Sequence, residues 1–187
     1  MMTDSSKKLR MMIVTALFAA IISILAQVSI PLPLGVPITG QTLAIGLAAT
    51  ILGSRFGTLS ALLYLIIGAT GVPVFAQLTG GLGILVGPTG GFLIGFIPTT
   101  FIMGYFLEKT SFTVRNALIA NIIGMFVTLF FGTAWLKIVA ELSWPAAFAA
   151  GFTPFIIGGF IKAFIAAWVG IIVRERLKTA NLLYVTG

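Results

Sequence analysis

One lysine stands out among the residues that could do chemistry. Lys162 closes the stretch PFIIGGFIK at 154–162, and residues 163–173 continue with no charge. An ionised ammonium about nine residues into such an apolar run lies roughly 13 Å below the outer membrane boundary. Holding it there costs roughly 2.5–3.5 kcal/mol on insertion scales. The acidic residues are Asp4, Glu108, Glu141 and Glu175. Each falls near an expected helix end or in a loop, so no carboxylate is expected at the depth of the lysine. A bound anionic ligand would offset the cost. The alternative is that the side chain snorkels to the outer interface or into a wet crevice. The chain contains no cysteine and no histidine, which removes disulfides, Cys/His metal sites, thiol nucleophiles and imidazole bases. No metal site and no cofactor is expected. There is no G-x-x-x-x-G-K-[ST] run either, so the chain carries no P-loop of its own.

A second group of candidates lies in the uncharged stretch GVPVFAQLTGGLGILVGPTGG, residues 71–91. Glycine permits positive φ and close backbone approach, and successive backbone N–H groups can form a polar concavity. A simple helix connector needs far fewer than about 20 residues. The backbone of Thr79, Gly80, Gly81 and Gly83, and of Gly87, Thr89, Gly90 and Gly91, is therefore expected to meet polar ligand atoms, with Phe75 covering an apolar part. Gln41 and Thr42 open an expected helix beside the outer loop, where capping and ligand contact are equally good readings. Asn121 reads as interhelical glue. Ala16 and Ala20 form a small-x-x-x-small face on the first helix, suited to close packing inside the protein or against another membrane protein.

The elements that must position these residues follow from composition. Apolar residues make up 59% of the 187 and charged ones 8%, against roughly 25% charged in a soluble domain. Lipid is the solvent for most of such a surface. Residues 11–54, 56–107, 116–136 and 142–161 contain no Asp, Glu, Lys or Arg, and one spanning helix needs about 20 apolar residues. The expectation is an all-α membrane protein, one domain over 1–187, with six spans near 11–28, 40–53, 56–70, 90–107, 116–136 and 153–174. The second and third are short for full spans. The connection at 29–40 holds Pro31, Pro33 and Pro37 and is expected to be extended. GSRFG at 53–57 is expected to be a tight turn with a helix-ending glycine. Between the fifth and sixth spans, Ser143 is a plausible N-cap with Pro145 early in a short helix, and Trp135 and Trp144 suit an interface.

The first apolar segment follows Lys7, Lys8 and Arg10 as a signal peptide would. It lacks a small-x-small site before Pro31 and more spans follow, so a retained helix is expected. With the N-terminus cytoplasmic, nine of the eleven basic residues fall inside, which matches the positive-inside rule. The C-terminus is then cytoplasmic too, and 29–40, 68–90 and 137–152 face outward. The net charge of +7 is explained by this pattern, and no nucleic-acid partner is expected.

With these residues in hand, the chain resembles the BioY family, the biotin-specific substrate-binding components of energy-coupling-factor vitamin transporters. GVPVFAQLTGGLGILVGPTGGFLIGF at 71–96 carries most of the resemblance, supported by VPITGQTLA at 36–44 and PFIIGGFIK at 154–162. It implies six helices in the plasma membrane, high-affinity biotin capture from outside, and no catalysis. It also implies a transmembrane coupling protein and two ATPase subunits as partners. In the family the first-helix pattern, here Ala16 and Ala20, contacts the coupling protein. Many members read G-D-x-x-K before the last helix; Lys162 is kept here, and Gly159 stands at the aspartate position. Gln41 or a backbone carbonyl could then accept from the ureido ring. The expected mechanism is capture: Lys162 pairs with the ligand carboxylate and loop 29–40 closes over the site. Competing readings are a substrate-binding component for another carboxylate-bearing vitamin, a proton-coupled secondary transporter, and a membrane assembly protein with no ligand.

Overall fold

The computed structural model describes residues 4–32 and 36–183; Pro33, part of the expected extended connection, lies outside the described residues. The chain runs α1 (Asp4–Ala26), β1 (Ser29–Ile30), β2 (Ile38–Thr39), α2 (Gln41–Ala69), α3 (Leu82–Val86), α4 (Gly90–Lys109), α5 (Val114–Val139), α6 (Trp144–Gly151) and α7 (Phe155–Thr179). Five of these, α1, α2, α4, α5 and α7, are long and apolar enough to cross a membrane.

α2 is two antiparallel arms. Gly53 breaks it at φ 81° and ψ −170°, a backbone state that side chains other than hydrogen rarely tolerate. The fold-back is visible in the contacts. Gln41 Nε2 donates to the Tyr64 hydroxyl at 2.5 Å, although 23 residues of straight helix would separate them by about 34 Å. Gly57 likewise lies against the Ala48 carbonyl. The six legs expected from the sequence are therefore present, with the turn where GSRFG placed it.

The first arm, residues 41–52, rises only about 18 Å, well short of the roughly 30 Å of hydrocarbon. Thr39, at the end of the ribbon before it, therefore meets α7 at Lys162, seven residues into that helix. β1 and β2 pair antiparallel, Ser29 opposite Thr39 and Ile30 opposite Ile38, which satisfies backbone groups that lipid could not.

The end of the bundle that holds the Gly53 turn is closed by polar clasps. Glu108 Oε1 accepts from Ser54 N and Oε2 from Ser54 Oγ, both at 2.7 Å, fastening α4 to the start of the second arm. Arg174 Nη1 donates to the Ile51 carbonyl at the end of the first arm. Its guanidinium lies 3.4 Å from the Phe112 ring centroid. Arg174 is 2% exposed. The fold buries it here because a free carbonyl at the hairpin turn needs a donor. Small residues permit this packing: Ala49, Ala117, Ala120 and Ala167 meet Met103, Leu107 and Ile171 in one cluster. Close approach of this kind replaces the hydrophobic drive that lipid does not supply.

Before α6, Ser143 Oγ accepts from Ala146 N and caps the helix, with Pro145 in its first turn. Trp144 is exposed. The Trp135 indole N–H donates to the Gly87 carbonyl at 2.9 Å and pins the loop before α4.

Candidate functional site

A cavity of about 360 Å³ opens between the ribbon, the first arm of α2, the 75–89 segment, α4, α5 and α7. That volume lies within the range of small-molecule sites. Its middle is apolar, formed by Ile45, Phe92, Phe96, Met125 and Leu129. No acidic residue, histidine or cysteine is among its lining residues.

Lys162 sits seven residues into α7, about 10 Å along the helix, and lines this cavity. Nζ donates to the Thr39 carbonyl oxygen at 2.7 Å and to Thr42 Oγ1 at 3.2 Å. Both partners are neutral, and an ammonium has three donors. The short first arm explains the geometry, since it lowers the ribbon until Thr39 reaches the level of the lysine. Hydrogen bonds to neutral groups hold the cation in place without cancelling its charge, which keeps it available to an anion.

Of the other residues singled out by sequence, Gln41, Thr42, Phe75, Thr79, Gly83, Gly87, Thr89 and Gly159 all line the cavity. Gln41 is 6% exposed. Its Oε1 accepts from Thr39 Oγ1 at 2.8 Å while its Nε2 holds Tyr64. Neither Gln41 nor Thr42 caps the arm; Thr39 Oγ1 does, accepting from Gln41 N at 3.3 Å. Phe75 is 1% exposed and meets Tyr64 edge-on, with ring centroids 5.4 Å apart. The Phe75 ring packs directly on Gly68, where a Cβ would strike it.

Gly80, Gly81, Gly90 and Gly91, also singled out by sequence, are not among the lining residues. Gly80 packs on the Val72 carbonyl. Gly81, at φ 97°, turns the chain so that its N–H reaches the Gly68 carbonyl at 2.7 Å. A Cβ on Gly90 would strike the Leu85 carbonyl, and one on Gly91 the Trp135 side chain. These glycines let the loop fold tightly and shape the wall from behind.

Several lining residues were missed. Thr99 and Thr128 share a hydroxyl–hydroxyl bond at 2.8 Å across α4 and α5. Asn121 acts as the expected glue, donating from Nδ2 to Thr50 Oγ1 at 3.0 Å and to the Ala117 carbonyl at 2.8 Å, and also lines the cavity. Polar side chains inside charge-free spans were the available signal. Gln77 lines the cavity at φ 59°, a conformation uncommon for residues with a Cβ. Met125 stands over Gly159, in the space that a side chain at 159 would need.

Ala16 and Ala20 are exposed on α1, so this small-residue face is turned away from the rest of the described protein.

Comparison with known proteins extends these observations. The family model described as the BioY family matches residues 1–179. "Biotin transporter BioY2" of Lactococcus lactis subsp. cremoris is 40% identical over 174 residues, 93% of this chain and 95% of that protein. "Biotin transporter BioY" of Thermotoga maritima is 36% identical over 170 residues, 91% of this chain and 96% of that protein. Among solved structures, the S-component for biotin from an ECF-type ABC transporter superposes with a TM-score of 0.84 at 30% identity. It covers 94% of this chain and 95% of that one.

Proposed function

The chain belongs to the BioY family, and from that premise we propose that it captures biotin in the cavity beside Lys162, as the substrate-binding subunit of an energy-coupling-factor transporter. The observation that carries this reading is the Lys162 ammonium at the cavity wall, bonded only to neutral oxygens. A ligand carboxylate meets that charge and replaces hydrogen bonds to neutral acceptors with a charge-assisted one. The apolar middle, with Phe75, Phe92 and Phe96, takes the ring and chain carbons. Gln41, Thr79, Thr89 and the backbone near Gly83 and Gly87 supply polar edges.

The reaction is binding and release with no covalent step. Neither a nucleophile with an adjacent base nor a pair of carboxylates lines the cavity, and the transporter relatives agree with this. Energy for inward release comes from partner ATPases through a transmembrane coupling protein, consistent with the missing P-loop. The outward face of Ala16 and Ala20 supports docking of that coupling protein on α1. Nine basic residues at one end of the spans support cytoplasmic termini in the plasma membrane.

A second reading has one observation in its favour. Gly159 with Met125 above it offers no carboxylate to a ureido N–H, which would suit a different carboxylate-bearing vitamin. Titration of detergent-purified protein with biotin and a vitamin panel decides between them. Biotin should bind at submicromolar concentration and compete out the others. Absence of biotin binding in the micromolar range would overturn the first reading, and saturable binding of another vitamin would establish the second.

A further inference from the structure

We infer that Gln27 is a positioning residue for this site, tying one wall of the cavity to α1. This rests on the reading of the cavity as the biotin site. Gln27 follows the last turn of α1, and its side chain reaches about fifty residues along the sequence. Nε2 donates to the Phe75 carbonyl at 3.0 Å, to the Val74 carbonyl at 3.4 Å and to the Ser23 carbonyl of its own helix at 3.1 Å. Oε1 accepts from Leu78 N at 2.9 Å. One amide thus bonds both sides of the turn that closes on itself through Phe75 N and the Thr79 carbonyl at 2.9 Å.

The turn needs such a holder. Gln77 and Leu78 stand at φ 59° and 55°, where residues with a Cβ are uncommon and bulky ones are outliers. Strained backbone persists only where its surroundings over-determine it. Here the strain directs the Leu78 N–H at Gln27 Oε1. The same turn presents Phe75, Ala76, Gln77 and Thr79 to the cavity. The opposite wall is also anchored at this end of α1, because the Val28 carbonyl accepts from Gly40 N at 2.8 Å beside the ribbon that carries Thr39.

The outer end of α1 therefore touches both walls, Gln27 directly and the ribbon through the chain. Ala20 lies about two turns from Gln27 on the same helix.

Gln27→Met tests this, since it keeps length and volume and removes the hydrogen bonds. Gln27→Glu is the second variant; it keeps an acceptor for Leu78 N–H and loses the donors to residues 74 and 75. In ligand-free full-length protein, amide exchange of the 74–79 segment should rise about tenfold in Gln27→Met, the factor that 1.4 kcal/mol represents. Dissociation of biotin should accelerate by about the same factor, with association nearly unchanged and Gln27→Glu intermediate. Melting temperature without ligand should match wild type, which a general structural defect would lower. Unchanged exchange in both variants would overturn the clamp. Faster exchange with unchanged biotin dissociation would overturn its role at the site. A wild-type chain that holds no biotin would instead break the functional reading, and the exchange result would still decide the clamp.

Discussion

Two basic residues on α7, twelve positions apart, make different use of burial. Lys162, in the first half of the helix, meets a carbonyl and a hydroxyl beside a cavity. Arg174, near its C-terminal end, donates to a carbonyl, stacks on Phe112, and lines no part of that cavity. The surroundings explain the difference. Around Arg174 the hairpin turn, Glu108 and the alanine-rich helix faces leave little room, so the cation serves the fold. Around Lys162 the short first arm and the glycine-rich loop leave a void, so the cation faces space that a ligand can fill. A buried basic residue in a membrane protein is informative about function only together with the space it faces.

Exchanging these two residues breaks the comparison most sharply. Lys162→Met should lower biotin affinity by about 2–5 kcal/mol, roughly thirtyfold to several thousandfold. Its ligand-free melting temperature should be unchanged or raised, because an ammonium without an acidic partner is gone from the membrane. Arg174→Met should do the reverse. Stability falls by about 1–3 kcal/mol as the Ile51 carbonyl loses its donor, and affinity stays within experimental error of wild type. Calorimetric titration and thermal melting in the same detergent check both.

Two glycines sharpen the contrast at lower amplitude. Gly68→Ala drives a methyl into the Phe75 ring and should weaken binding by about 1–3 kcal/mol, the usual scale of overpacking. Gly104→Ala meets the backbone at Ser54, beside the Gly53 turn, and should cost stability without changing affinity. The smallest effect belongs to Thr42→Val. It removes one neutral partner of Lys162 and should shift affinity by about 0.5–1.5 kcal/mol.

Much of this was legible in the sequence for identifiable reasons. Charge-free runs separated by short polar links revealed six legs, because lipid forbids charges and demands satisfied backbone. Gly53 marked the hairpin, and the isolation of Lys162 from any acid singled out a residue that lines the cavity. The division of labour among glycines was not legible. Gly83 and Gly87 line the cavity while Gly80, Gly81, Gly90 and Gly91 pack behind it. A residue without a side chain carries no pattern that tells one role from the other. The burial of Arg174 was not legible, because it depends on Ile51, distant in the chain. Gln27, and the Thr99–Thr128 pair, depend on partners that only the fold brings near.

The most direct measurement pairs a change in the protein with a change in the ligand. Affinities of wild type and Lys162→Met are determined for biotin and for its neutral carboxamide, giving a coupling energy between the ammonium and the carboxylate. Wild type should prefer biotin by about thirtyfold or more, and the preference should vanish in Lys162→Met. An equal preference for biotin in both proteins would contradict the pairing and place the carboxylate elsewhere.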